Sequence, residues 1–290
     1  MASLKEIKTR INSVKSTRKI TSAMRMVASA KLHRAQRAIE NMLPYQQKMD
    51  TILTRFLSSY NSVVQSVYVS ERPVQRVAIV AFSSNTSLAG GFNANVVKSL
   101  LQTVEEYKPL GKENILIYPV GKKIEEEVKK QGFQPQGSYQ EMADKPSYTA
   151  AANLAKELMS LFSSGKVDKV EFIVYHFKSV GSQTLAKHQY LPILLNKPDK
   201  QIKKQTTINY VVEPSIPAFI TDLLPQVLEL NLYTALLDSN ASEHAARAMA
   251  MQTATDNANE LIDELARQYN KSRQQAITNE LLDIVGGSMR

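Results

Sequence analysis

Between Leu223 and Tyr269 the chain places Leu223, Val227, Leu230, Thr234, Leu237, Ala241, His244, Ala248, Met251, Thr255, Ala258, Ile262, Leu265 and Tyr269 at alternating steps of four and three. All but Thr234, His244 and Thr255 are apolar or aromatic. On a helix those steps fall on one side, so the pattern describes a seam along a single long helix. Gly286 and Gly287 supply its stop, because glycine tolerates the conformations that end helices. From about residue 218 to 285 such a helix would run roughly 100 Å at about 1.5 Å per residue. No single domain of a chain this size covers that length. The pattern therefore demands partners.

A second seam opens the chain. Leu4, Ile7, Ile11 and Val14 begin it, and Met24, Ala28, Leu32, Ala35, Ile39, Met42, Met49, Ile52 and Phe56 continue it. Residues 3–57 are expected to form another long helix. The apolar pattern lapses at Ser16-Thr17-Arg18-Lys19 without a helix breaker, while Pro44 is expected to kink the helix or open a local turn. Alanine and methionine recur on both seams. Small side chains let helices approach closely, and methionine adapts to an irregular groove.

From Arg72-Pro73 onward the character changes. Residues 75–83 (QRVAIVAFS), 113–120 (ENILIYPV) and 167–177 (VDKVEFIVYHF) read as buried strands, and 94–107, 122–131 and 147–162 as helices. Residues 132–146 read as a Gly/Pro-rich loop, 179–182 as a hairpin turn into a strand at 183–192, and 196–207 as a polar, basic linker. Pro214 and Pro217 mark the approach to the last helix, and Pro225 implies a bend or a delayed start. The fold class is α/β: a long antiparallel coiled coil of the N- and C-terminal helices (residues 1–60 and 212–290) plus an inserted Rossmann-like α/β domain (73–208). That domain is expected in three layers, its sheet parallel with an antiparallel edge. The last helix is the longer, so its tip should extend beyond the first.

Charge is unevenly placed. The net charge is +9, and residues 1–40 carry Lys5, Lys8, Arg10, Lys15, Arg18, Lys19, Arg25, Lys31, Arg34 and Arg37 against only Glu6 and Glu40. Such a field draws an acidic partner, be it nucleic acid, anionic lipid or an acidic protein surface. Cysteine is absent, which excludes disulfides, thiolate metal sites and thiol regulation. No apolar run is long enough to span a bilayer, and the N-terminus lacks an apolar signal core. The expectation is a soluble, cytoplasmic chain that meets a membrane only through a complex.

Catalytic motifs are sparse. His33, His176, His188 and His244 have no partner at metal-ligand spacing, and His244 on the helical seam reads as structural. Neither a G-x-S-x-G nor a P-loop sequence occurs. Leu88-Ala89-Gly90-Gly91-Phe92-Asn93 follows a strand and opens a helix, where phosphate-binding loops occur; two glycines alone equally describe a tight turn. Residues 122–130 (KKIEEEVKK) mix signs at helical spacing, as a solvated face does. Two functions therefore compete at this stage: a nucleotide-binding enzyme using the Gly90-Gly91 turn, and a coiled-coil nucleic-acid binder using the basic first helix. Against the second, the cations are spread round the helix, residues 1–40 hold no Phe, Tyr or Trp, and no helix-turn-helix is visible.

Residues 7–31 (IKTRINSVKSTRKITSAMRMVASAK) resemble the N-terminal signature of the gamma subunits of F-type, proton-translocating ATP synthases of bacterial type. Residues 236–247 (LLDSNASEHAAR), 249–257 (MAMQTATDN) and 269–281 (YNKSRQQAITNEL) resemble their C-terminal signature, and 210–214 (YVVEP) the segment before their second long helix. The resemblance covers both ends and the order of everything between. It departs at 84–93 (SNTSLAGGFN), where the family usually has a basic residue followed by Gly-Leu-Cys-Gly and this chain has Thr86, Ser87, Leu88, Ala89 and Gly90. The cysteine-bearing insert of chloroplast relatives is also missing.

What the resemblance implies answers the problem of the uncovered helices. The coiled coil would be a rotating shaft inside a ring of alternating alpha and beta subunits, with the α/β domain near the epsilon subunit and the membrane c-ring. Proton-driven rotation would carry the catalytic beta sites through tight, loose and open states. The chain would be non-catalytic, with no cofactor, metal or nucleic acid of its own, and peripheral on the cytoplasmic face of the bacterial inner membrane. By the same resemblance Met24 would lie at the collar, Arg273, Gln274, Thr278 and Glu280 at the upper contact with beta, and Tyr210 and Glu213 near the c-ring. The basic helix would meet acidic loops of beta.

Overall fold

The structure, a computed structural model, describes residues 3–59, 67–193 and 216–288, with the backbone alone at some positions of the two long helices. The 196–207 linker, Tyr210 and Glu213 lie outside the described residues. In chain order the elements are α1 (Leu4–Ser59), β1 (Val77–Phe82), α2 (Phe92–Glu106), β2 (Ile115–Val120), α3 (Lys122–Lys130), α4 (Gln140–Asp144), α5 (Tyr148–Ser163), β3 (Lys169–Ser179), β4 (Ser182–Leu191) and α6 (Ile216–Ser288). Contacts divide the chain into two compact units, Lys31–Ala246 and the pair Met1–Ala30 with Arg247–Arg290.

In Lys31–Ala246 the strands form one sheet in the order β2-β1-β3-β4. β1 pairs in parallel with β2 and β3, and β3 antiparallel with β4. Every residue of β1 is buried, as expected of a strand covered on both faces. On one face Val77, Ile79 and Ala81 meet Phe92, Val96 and Leu100 of α2 and Ile124 and Val128 of α3. On the other, Ala78, Val80 and Phe82 meet Leu154, Leu158 and Phe162 of α5 and Leu228, Leu232 and Leu236 of α6. The three layers and the antiparallel edge match the sequence reading. Helix α4 does not: it lies in the stretch read as a loop, and five residues are too few for periodicity to register. Met142 ties it to the core and Asn240 of α6 donates to its Ala143 carbonyl at 2.8 Å.

The same stretch of α6 also receives α1. Met49 and Leu53 cluster with Leu223, Leu224, Val227 and Leu230, while Leu32 and Ala35 cluster with Ala241 and Ala245. Residue numbers rise on one helix as they fall on the other, so the pair is antiparallel. The far end of the β3–β4 hairpin leans on this pair through Phe177 and through His176 Nδ1, 2.6 Å from Asp238 Oδ2.

In the other unit the two helices are again antiparallel. A capping box starts α1: Ser3 N donates to Glu6 Oε2 at 2.8 Å and Glu6 N to Ser3 Oγ at 3.2 Å. Arg18 Nη1 donates to Asn259 Oδ1 at 3.1 Å, the Thr21 and Thr255 hydroxyls lie 2.8 Å apart, and Arg25 Nη1 donates to Gln252 Oε1. Ile7 and Ala28 of α1 and Ala248, Met251, Ala258 and Leu265 of α6 are the buried apolar positions. The lapse at residues 16–19 is thus a polar section of an unbroken seam running Val14, Arg18, Thr21, Arg25, Ala28. Met24, read as a seam residue, stands one position off this alternation and is 38% exposed. Only the threonine pair is neutral, worth about 0.5–1.5 kcal/mol net, while the two guanidiniums are charged and half-exposed, so water replaces their hydrogen bonds when the helices part. The polar section is therefore held by contacts that water can take over, as an apolar one is not.

Both prolines expected to interrupt the long helices lie inside them, and α6 begins at Ile216, before Pro225. An internal proline costs about 3 kcal/mol or more. Packing outweighs it at Pro225, where Leu223, Leu224, Val227 and Leu228 are all buried. The expected stop at Gly286-Gly287 is also corrected: α6 continues through both to Ser288, since glycine permits a helix end without imposing one.

Two stability tests follow from this packing. Leu232, fully buried between α6 and the sheet, should cost about 2–5 kcal/mol when cut to alanine; a denaturation midpoint like that of the parent would show that α6 is not part of the core. Glu125 accepts from Gln140 Nε2 (2.9 Å), Lys129 Nζ (2.6 Å) and Ser138 Oγ (2.9 Å). Donation by Gln140, then by Lys129, holds its carboxyl down at about 2, against the burial that pushes it up. A folded-state value below the ordinary 4.5 gives stability that is complete above pH 4.5 and is lost as pH falls toward 2. Glu125→Gln should flatten that part of the urea-denaturation profile, and an unchanged acid slope would contradict the assignment.

Candidate interaction surfaces

In an open α/β sheet a ligand is expected outside the carboxyl ends of the strands, where the connections diverge. Here that place is the end of β1, between β2 and β3, beside the 84–93 loop. It is packed with the chain's own groups. Phe92 and Tyr175 stack with ring centroids 4.7 Å apart, both buried, and Asn95 Nδ2 donates to the Tyr175 hydroxyl at 3.0 Å. Asn93 Oδ1 accepts from Ser84 N at 3.0 Å, Asn85 Oδ1 from Lys122 N at 2.8 Å, and Asn85 Nδ2 donates to the Gln140 carbonyl at 2.8 Å. At Gly121, with φ of 102°, a Cβ would come within 2.3 Å of the Ser83 carbonyl oxygen, so β1 and β2 close tightly at this end. The Gly90-Gly91 turn thus serves a self-satisfied loop. Elsewhere, a groove of about 950 Å³ is lined by Ile39, Leu43, Phe177, Tyr190 and Val227, and its His176 is already joined to Asp238. Among the described residues no three His, Asp or Glu side chains gather as metal ligands, and no helix is long and apolar enough to cross a membrane.

The helices carry the unusual surface. Of the ten cations in residues 1–40, Arg18 and Arg25 turn into the seam and the other eight are exposed. Among the described residues none of those eight pairs with a carboxylate. Ile20, Met24 and Val27, spaced four and three apart and 59%, 38% and 58% exposed, form an apolar stripe on one side of α1. The register that joins Arg18 to Asn259 brings Leu4, the first residue of α1, level with Arg273 of α6. Beyond that level the α6 seam has nothing of α1 to meet, and every residue from Ile277 to Val285 is exposed, Leu281, Leu282 and Ile284 among them.

The described residues among those singled out by sequence fall on these surfaces but not in one site. Arg273, Gln274, Thr278 and Glu280 are all exposed along two turns of α6, with Thr278 Oγ1 donating to the Gln274 carbonyl at 2.9 Å. Met24 lies level with Thr253, about 30 Å down the helix pair at about 1.5 Å per residue. Sequence reasoning anticipated the uncovered tip but missed Ile20 and Val27 beside Met24; their signal was apolar residues lying off the seam.

Helices paired antiparallel, an α/β domain inserted between them in sequence with its crevice packed shut, and basic and apolar helix surface left facing outward define a stalk protein shaped for partners. A family described as ATP synthase matches residues 3–289. Relatives named ATP synthase gamma chain include those of Bacteroides fragilis, 68% identical, and Bacteroides thetaiotaomicron, 61% identical, each covering 100% of both chains. The fold is that of the rotor of Euglena gracilis mitochondrial ATP synthase (TM-score 0.63, 18% identity, 94% of this chain and 98% of that one). It is likewise that of a chain in the central stalk and c-ring of the Tetrahymena thermophila mitochondrial enzyme (TM-score 0.59, 23% identity, 81% and 99%). The chain belongs to the ATP synthase gamma chain family.

With its crevice filled, the isolated chain is expected to bind no adenine nucleotide with useful affinity. Calorimetry with ATP and magnesium tests this, and micromolar binding would return attention to the Gly90-Gly91 turn.

Proposed function

We propose that this gamma chain is the central rotor of a membrane-bound F-type ATP synthase. It couples proton-driven rotation of the c-ring to the conformational cycle of the catalytic beta subunits, and so governs ATP synthesis and proton flow. The observation that carries the reading is the tip of α6: a seam that continues past the level where α1 begins, with large apolar side chains exposed on a chain that belongs to the gamma family. Exposed apolar surface of that kind is meant to be covered. The alpha and beta subunits would cover it, with Arg273, Gln274, Thr278 and Glu280 at the upper contact with beta and Met24 at the collar. The eight outward cations would meet acidic loops of beta at surface-like dielectric, where charge pairs are individually weak and do not hold one orientation. Tyr210 and Glu213 would lie near the c-ring, with epsilon beside the α/β domain, at the cytoplasmic face of the bacterial inner membrane. The ATP chemistry belongs to beta.

Rotation is tested with a thiol. The chain has no cysteine, so Gln275→Cys would be its only one, exposed on α6 beside the half-buried Ser272 and Ala276. Joined by oxidation to a cysteine on the facing beta surface, it should stop steady ATP hydrolysis by the complex, and reduction should restore it. A disulfide formed in high yield with hydrolysis undiminished would overturn obligatory rotation of the whole chain. The same test at Ser22 then locates the contact that bears torque: inhibition there but not at Gln275 places it near the collar.

A further inference from the structure

The polar section of the helix pair has a property that neither the seam pattern nor the proposed rotation assigns. Over one heptad, Arg18, Thr21 and Arg25 face Asn259, Thr255 and Gln252, and among the described residues neither guanidinium pairs with a carboxylate. The amide of Gln252 is shared, its Nε2 lying 2.9 Å from both carboxylate oxygens of Asp256. The hydroxyl pair is short of protons. Thr21 Oγ1 also reaches the Arg18 carbonyl at 3.0 Å, and Thr255 Oγ1 the Met251 carbonyl at 2.8 Å. Three contacts share two hydroxyl hydrogens, so one hydroxyl donates across the seam and the other to its own helix.

If the helices part here, each threonine keeps a carbonyl on its own turn, and the half-exposed Arg18 and Arg25 pass to water. No group is stranded without a partner. An apolar layer has no such fallback, because parting exposes it to water outright. On either side the seam is apolar again, with Ile11 and Val14 toward the N-terminus and the buried Ala28, Ala248 and Met251 on the other side. The weak section is therefore internal, bounded by stronger ones.

We propose that Arg18–Arg25 with Gln252–Asn259 is a joint, the place where the two helices separate locally while their flanks stay paired. Ile20 and Met24 of the exposed stripe lie on this section of α1, and Val27 just beyond it. A partner gripping the stripe would act on α1 where it is least tied to α6; that consequence rests on the rotor reading, whereas the joint itself does not.

Backbone hydrogen exchange on the full-length chain tests it. Fraying from a free end would make protection fall steadily from residues 26–30 through 17–25 to 7–14. A joint instead gives a dip: amides of 17–25 and 252–259 should exchange at least about tenfold faster than those of the flanking turns on both sides, including 11–14. Thr21→Val combined with Thr255→Val, which makes the middle layer apolar, should remove most of the dip and leave the flanks unchanged. Arg25→Met with Gln252→Met is the second variant, read in the same way should the valine pair lose helix by circular dichroism. A steady gradient in the parent chain, or a dip that persists in the folded variants, would overturn the joint.

Discussion

One stretch of α6, from Leu223 to Ala245, is buried on nearly every side, and the rest of Lys31–Ala246 depends on it. A surface helix needs a single apolar face; one that is apolar all round must lie inside a core. This stretch lies in two. Leu228, Leu232 and Leu236 complete the layer behind the sheet, and Leu223, Leu230, Ala241 and Ala245 meet α1. Polar contacts fasten the same stretch: the Tyr190 hydroxyl donates to the Leu228 carbonyl at 2.8 Å and the Tyr148 hydroxyl to Glu229 Oε2 at 3.0 Å. The α/β domain supplies only part of that layer itself, from α5. It borrows a helix from the stalk, and so cannot turn independently of that part of α6.

Outside this stretch the helix pair is built on another scale. In Met1–Ala30 with Arg247–Arg290 the buried positions are mostly Ala, Met and isolated Ile or Leu, broken by the Arg18–Arg25 section. Small and adaptable side chains close a narrow seam without deep interlocking. The two units thus differ in packing: a dense core in Lys31–Ala246 and a light seam in the other.

Much of this was legible because a period of 3.6 or 2 survives wherever burial is one-sided or complete. The two long helices, the sheet and its edge were readable for that reason. The failures have specific causes. Met24 was placed on the seam because the pattern sought apolar residues, whereas the seam there runs through Arg18, Thr21 and Arg25, whose pairing depends on the partner helix. Pro225 carries a local penalty that only tertiary packing can offset, and α4 is shorter than a detectable repeat. For the surfaces, exposure is a property of what is absent, so Ile277, Leu281 and Ile284 looked like more helix. Only the resemblance singled out Arg273, Gln274, Thr278 and Glu280.

The inserted domain makes the wider point that a fold does not carry its usual activity with it. Its layers and its strand–glycine–helix turn are those of nucleotide-binding proteins, yet three substitutes occupy the ligand's place. Phe92 and Tyr175 stack on each other beside the end of β1. Side chains of Ser84, Asn85 and Asn93 absorb loop groups that would otherwise face a phosphate. By the resemblance Thr86 stands at the position of a basic residue, and residues 84–93 hold no cation that would recruit an anion. A domain that keeps the architecture and fills the crevice is serving as rigid packing for α6. That role needs a well-filled core more than it needs any particular loop.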